Sequence, residues 1–165
     1  VELLPGYCIR HGSSLDRALL VKFMQLTYQE MFPNQDFSHL AQTVEQYFSS
    51  QTPLWWVEED GEMARLGDGE DFTTPPNHPI ACLWMGNAID QVTGDRHAHI
   101  FLLYVEPKHR RRGIATALMR YAEDWAKNRG DRQMGLQVFQ SNQAALSLYS
   151  GLGYQTQSLW LKKIL

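Results

Sequence analysis

The stretch Leu103-Tyr104-Val105-Glu106-Pro107-Lys108-His109-Arg110-Arg111-Arg112-Gly113-Ile114-Ala115-Thr116 constrains the fold of this 165-residue chain more than any other. From Ile100 to Val105 every residue is apolar apart from the Tyr104 hydroxyl, the pattern of a central strand covered on both faces. Pro107 ends that strand. Past Gly113 the period changes to 3.6: Ile114, Leu118, Tyr121, Ala122 and Trp125 fall on one side, opposite Arg120, Glu123, Asp124 and Lys127, until Gly130. Another apolar run follows at Met134–Phe139. Parallel neighbours need a long crossover, so His97–Phe139 predicts a strand-helix-strand unit packed on a sheet.

The other elements follow from period and punctuation. Tyr7–His11 alternates and stops at Gly12-Ser13-Ser14, where Ser13, Ser14 or Asp16 caps a helix that runs to about Phe32. A second helix is expected from about Ser38 to Ser49. Strands follow at Leu54–Val57, Ile80–Met85 and His97–Glu106, with turn residues over Asn87–Arg96. A short helix at Gln143–Tyr149 ends in Gly151-Leu152-Gly153, before a last strand, Tyr154–Leu161. The order β-α-α-β-β-β-α-β-α-β has no internal repeat and predicts one mixed α/β domain over residues 1–165. Trp55 and Trp56, adjacent on a strand, face opposite sides.

Charge and cysteine usage narrow the function classes. Fifteen Lys and Arg against 18 Asp and Glu give a formal net charge of -3, which removes the global basic field of a nucleic-acid binder and leaves Lys108–Arg112 as a local feature. Between Glu58 and Asp71 seven carboxylates (Glu58, Glu59, Asp60, Glu62, Asp68, Glu70, Asp71) meet one Arg65. That acidic loop reads either as a charge-solubilised hairpin or as a lure for a cationic amine. Cys8 and Cys82 each lie in a short alternating apolar run and read as core thiols, with a disulfide between them left open. Val1–Gly6 has no basic leader, and no window reaches the roughly 18 apolar residues that cross a bilayer. The expectation is a cytoplasmic protein with no membrane or nucleic-acid partner.

Chemistry concentrates where the basic turn enters the helix. A helix N-terminus carries unpaired N–H groups and partial positive charge, and a glycine there lets a pyrophosphate approach the main chain. A Lys-Arg run by itself is a solvated face; the glycine after a buried strand changes that reading. Arg110-x-x-Gly113-x-Ala115, after Leu103-x-Val105, resembles the acyl-CoA pyrophosphate loop of the Gcn5-related N-acetyltransferases, the GNAT family. Asn142-x-x-Ala145-x-x-Leu148-Tyr149-x-x-x-Gly153-Tyr154 is similar to that family's later motif, which flanks the pantetheine arm. The two motifs cover about residues 97–160. At the Arg110 and Ala115 positions the family often carries Gln and Gly, and the acidic insertion at 58–78 matches no subgroup.

The resemblance implies a GNAT-like acyl-CoA N-acyltransferase fold, with a mostly antiparallel central sheet, a βαβ crossover and flanking helices. It implies acetyl-CoA as co-substrate, no metal, and direct transfer to a primary amine in a ternary complex. The amides of roughly residues 110–115, Ile114 and Ala115 among them, and the Thr116 hydroxyl would hold the pyrophosphate. Leu103, Tyr104 and Val105 would line the pantetheine, with the thioester carbonyl near the Val105 N–H. Arg111 or Arg112 would alternatively reach the 3′-phosphate, and Asn142, Ala145, Leu148 and Tyr149 would flank the arm. Tyr149 matches the family's general acid, and a phenol with an ordinary pKa near 10 is protonated at neutral pH.

For the base, His97 and His99 lie two apart on one face of the central strand. The family often places a glutamate or histidine at the His99 position, and an imidazole titrating near 6.5 can relay a proton through water. His97, Glu106 and Tyr104 are the other candidates, the last two on the opposite face unless a bulge re-aims the strand. His97 and His99 also read as two zinc ligands with His109 or a carboxylate, but no fourth ligand lies at helpful spacing. By resemblance, Tyr28, Phe32 and the 33–39 segment wall the acceptor pocket. Small metabolite, antibiotic, polyamine and protein amine all fit as acceptors. The contrasting function is a non-catalytic acyl-CoA-binding sensor. The last strand and its apolar Ile164-Leu165 tail leave both a monomer and an edge-paired homodimer open.

Overall fold

A computed structural model describes residues 1–61 and 77–165. Glu2–Leu4 (β1) and Tyr7–His11 (β2) form a hairpin turned at Gly6, whose φ of 86° is in the left-handed region. Ser13 and Asp16 then close a reciprocal capping box around the 3-10 turn Ser14–Asp16, which launches α1 (Arg17–Met31). Next come α2 (Leu40–Tyr47), β3 (Leu54–Glu59), β4 (Pro79–Ile89) and β5 (Arg96–Val105). The chain finishes with α3 (Ile114–Arg129), β6 (Met134–Leu136) and α4 (Gln143–Gly151). Among the described residues no helix is long and apolar enough to cross a membrane.

The strands lie in sequence order in one sheet, antiparallel throughout except for the parallel β5–β6 pair joined through α3. The mixed α/β class and the βαβ crossover are therefore as expected. The sheet separates two cores. Trp55, Val57, Leu83, Met85, Ile100 and Val105 pack under Leu118, Met119 and Ala122 of α3. On the other face Trp56, Cys82, Trp84, Leu102 and Tyr104 meet Leu20 and Phe23 of α1 and Val44 of α2. The neighbouring tryptophans thus divide between the two cores, both fully buried.

An irregularity in β5 decides which core each of its side chains faces. In the β4–β5 ladder Trp84 pairs with Leu102 but Met85 pairs with Ile100, so Phe101 is an extra residue, a β-bulge. Ala98 and Ile100 face α3 before the bulge, and Leu103 and Val105 face it afterwards. His99 and Phe101 therefore share their face with Leu102 and Tyr104. Gly86, opposite His99, makes room for the bulged ring: a Cβ there would lie 2.0 Å from the Phe101 side chain.

Several expectations are corrected. β1 is absent from the sequence reading, being three residues long and too short to show alternation. Strand Tyr154–Leu161 does not form: residues 154–165 have no regular structure, and Leu159, Trp160, Leu161, Ile164 and Leu165 are exposed. A strand needs a ladder partner, and β6 stops at Leu136 instead of Phe139. Cys8 is half-buried, and both thiols are free. β3 lies between their strands, a separation of about 9–10 Å that no disulfide spans. Glu58 and Glu59, expected in a loop, belong to β3, where Glu58 accepts from Arg10 Nε at 2.6 Å. The rest of the acidic run from Glu62 lies outside the described residues.

Replacing Gly86 by Ala should cost about 1–3 kcal/mol through overpacking against Phe101. Urea denaturation checks this: the midpoint falls with an unchanged slope, and an unmoved midpoint would mean that the ring gives way freely.

Candidate active site

The chain leaves β5 through a 3-10 turn, Pro107–His109, that uses up the first amides. Glu106 N–H donates to Ile80 O at 2.8 Å, His109 N–H to Glu106 O at 2.9 Å and Arg110 N–H to Pro107 O at 3.3 Å. Arg111 and Gly113 then take left-handed conformations, φ 63° and 84°. From Arg111 through Thr116 no main-chain N–H donates to a described acceptor, and the first bond into α3 is Ala117 N–H to Gly113 O at 3.0 Å. These six amides lead into the positive end of a 16-residue helix. A Cβ on Gly113 would meet no protein atom within 4 Å, so the space above the loop is open. The Arg110 amide, expected in this set, is already paired.

Beside the loop, the sheet opens. β5 and β6 pair only from Ala98 to Ile100 against Met134 to Leu136, and beyond that β5 continues paired with β4 alone. Because Glu106 N–H turns toward β4, alternation sends the main-chain groups of Leu103 and Val105 the other way, into the gap. On its far side Asn142 caps α4, its Oδ1 accepting from Ala145 N–H at 3.2 Å. Ala145 and Leu148 are half-buried on that helix, and Tyr149 packs on the same core as Leu103 and Val105. Burial pushes the Tyr149 phenol up to about 12.

The arginines divide their tasks. Arg110 folds back: its Nε donates to Val105 O at 2.8 Å, its Nη2 pairs with Glu30 at the end of α1, and its guanidinium lies 5.7 Å from the Tyr104 ring centroid. Its donors serve the protein, and the Glu30 contact holds its own charge firmly. Arg112 donates to the Tyr7 hydroxyl at 2.8 Å. The exposed Arg111 side chain has no described partner, which favours it over Arg112 for a peripheral phosphate. Tyr104 is 6% exposed against Phe23, so its side chain belongs to the second core and not to the gap. Ile114 likewise gives only its amide, its side chain being 2% exposed.

The two histidines differ. His97 is a buried strand-edge residue whose Nδ1–H donates to Ala98 O at 2.9 Å. His99 is half-buried beside Phe101, and burial, followed by the proximity of His97, pulls its pKa below the usual 6.5. Opposite residues on β4 measure its reach. Five residues separate the partners of His99 and Val105 and three those of His99 and Leu103, about 17 Å and 10 Å along the strand. His99 therefore lies nearer Leu103 than Val105. His109 lies beyond the other end of β5, which removes it from a zinc site with His97 and His99. Among the described residues no three His, Cys, Asp or Glu side chains are placed to hold a metal. Glu106 is paired with His78 at 2.9 Å.

The segment expected to wall the acceptor pocket is aromatic. Tyr28 and Phe32 of the expected wall both meet Phe139, with ring centroids 6.0 and 5.4 Å apart. Sequence reasoning misses Phe139 as a site residue; its only cue is its place at the end of an apolar run. From the 33–39 segment, Phe37 is buried in the second core and supports Tyr28 from behind.

Comparison with known proteins matches this architecture. The profile described as the acetyltransferase (GNAT) family matches residues 20–154. An uncharacterized N-acetyltransferase of Methanocaldococcus jannaschii is 33% identical over 86 residues, 50% of this chain and 36% of that protein. The ribosomal protein bS18-alanine N-acetyltransferase of Escherichia coli is 36% identical over 72 residues, 44% of this chain and 48% of that protein. The chain thus spans less than half the length of these curated relatives. A predicted acetyltransferase from Clostridium acetobutylicum, crystallised with acetyl-CoA, superposes with a TM-score of 0.73 at 19% identity, covering 96% of each chain.

Arg110→Ala should cost about 1–2 kcal/mol by removing charge-assisted hydrogen bonds to Val105 O and Glu30. Arg110→Gln, which can still donate to the carbonyl, should recover part of that loss in a urea titration. Equal losses for the two variants would assign the effect to the ion pair with Glu30 alone.

Proposed function

The chain belongs to the acetyltransferase (GNAT) family, and on that premise we propose that it transfers an acetyl group from acetyl-CoA to a primary amine by direct attack in a ternary complex. The observation that carries this reading is the run of six unpaired amides, 111–116, set at the end of the gap between β5 and β6. That run suits a pyrophosphate, and the gap suits a pantetheine arm whose amides complete the unfinished edge of β5 at Leu103 and Val105.

The chemistry then follows from placement. An acceptor ammonium loses its proton to His99, directly or through one water across the 10 Å to Leu103. The freed amine attacks the thioester carbonyl. The N–C bond forms while the oxygen charge is held by the Leu103 N–H, and the C–S bond then breaks. The departing thiolate takes its proton from Tyr149, which burial keeps protonated far above neutral pH, and the phenolate regains one from the positively charged nitrogen of the adduct, leaving a neutral amide. Asn142, through its cap, fixes the helix that carries Tyr149. The likeness to an enzyme acting on a protein α-amine supports peptides with an N-terminal alanine as the first acceptors to try.

The test is acetyl-CoA turnover, read as free thiol over a panel of peptides and small amines, with acetyl-CoA affinity measured in parallel by calorimetry. Because the His99 pKa is lowered, its imidazole is in the proton-accepting form through pH 7, and kcat/KM falls only as pH drops through that lowered value. His99→Ala should lose about 10²-fold in kcat together with that acidic limb, and Tyr149→Phe should lose a similar factor with affinity within about threefold. Binding without turnover on any amine would make the protein an acyl-CoA sensor, and normal turnover in both variants would remove these two roles.

A further inference from the structure

We propose that Tyr7, on the first hairpin of the sheet, is a positioning residue for the coenzyme loop: its hydroxyl tethers Arg112 and His109 and so holds the amides of residues 111–116 in their outward-facing arrangement. The proposal rests on the reading of that loop as the acetyl-CoA site.

Arg111 is a non-glycine residue at φ 63°, a strained conformation that persists only where its surroundings impose it. Its neighbours on both sides are anchored. Arg110 is tied to Val105 O and Glu30, that is, to β5 and α1. Arg112 is tied to Tyr7, 105 residues away on β2. The strained residue is thus stretched between two fixed points on different parts of the sheet.

The Tyr7 end of this brace is built and buried. Tyr7 is 3% exposed, and its hydroxyl lies 2.8 Å from Arg112 Nη1 and 3.0 Å from His109 Nδ1, with the Tyr7 and His109 rings edge to face at 87°. A guanidinium only donates, so the phenol oxygen accepts from Arg112 and turns its own hydrogen toward His109 Nδ1. Both ends of the basic turn, residues 109 and 112, are thereby fastened to one atom. None of these groups needs to touch the coenzyme. Their effect is on how often the loop holds its binding conformation.

The experiment is acetyl-CoA calorimetry and steady-state kinetics on Tyr7→Phe, Arg112→Ala and the double variant. Tyr7→Phe keeps the buried ring and removes the hydroxyl. The expected result is an acetyl-CoA Kd and KM raised about tenfold, with kcat at saturation within twofold and Tm within about 2 °C of the parent. The double variant should bind no more weakly than Tyr7→Phe alone, because loss of the hydroxyl already releases both Arg112 and His109. Affinity kept within twofold in Tyr7→Phe, or losses that add in the double variant, would overturn the proposal. Failure of the unaltered protein to bind acetyl-CoA would instead remove the reading beneath it.

Discussion

Six successive main-chain N–H groups without an acceptor among the described residues are the constraint on which this structure turns. The first amides of any helix lack an intrahelical acceptor, and here the run begins as early as Arg111, an arrangement that suits an anion. Much of the chain serves to keep it open. β5 delivers the turn from the centre of the sheet, α3 aligns its dipole on it, and the left-handed Arg111 and Gly113 turn the amides outward. The parting of β5 from β6 after Ile100 extends the site along the main chain of Leu103 and Val105, where Arg110 Nε already donates to the Val105 carbonyl. A pyrophosphate followed by an amide-bearing arm would suit this arrangement.

The bulge at Phe101 links this binding edge to the reaction. Were the same sequence to pair without a bulge, His99 would project to the same face as Leu103 and Val105 and bury itself against α3. With it, the histidine turns toward the α1 side, where Tyr28, Phe32 and Phe139 gather, while the main chain of Leu103 still faces the gap. Donor and acceptor thus approach one strand from different sides. Gly86 is the local condition for that shift, because any side chain there meets the bulged ring.

The portions legible in the sequence are those coded by neighbours along the chain. A two-residue period giving way to 3.6 at Gly113 marks β5, the loop and α3. Ser13 with Asp16 marks the start of the first helix, and adjacent Trp55 and Trp56 announce two cores. What escapes depends on partners distant in sequence. A one-residue bulge leaves no trace in a run that is apolar on both faces, so the facing of His99 relative to Tyr104 is not readable there. Tyr154–Leu161 has a strand-like composition, yet β6 ends too early to pair with it. Arg110 reads as a phosphate ligand until Glu30 and the Val105 carbonyl are seen to occupy it. Tyr7 is an ordinary core aromatic until Arg112 is found on its hydroxyl.

The central claim, that residues 111–116 receive the coenzyme's pyrophosphate through their main chain, is tested most directly by amide NMR of the labelled protein titrated with CoA. The account predicts downfield shifts and hydrogen-exchange protection concentrated at the amides of Arg111 through Thr116, with Leu103 and Val105 following as the arm binds. Saturable binding that leaves those eight amides unmoved, or shifts centred on another face of the sheet, would contradict it.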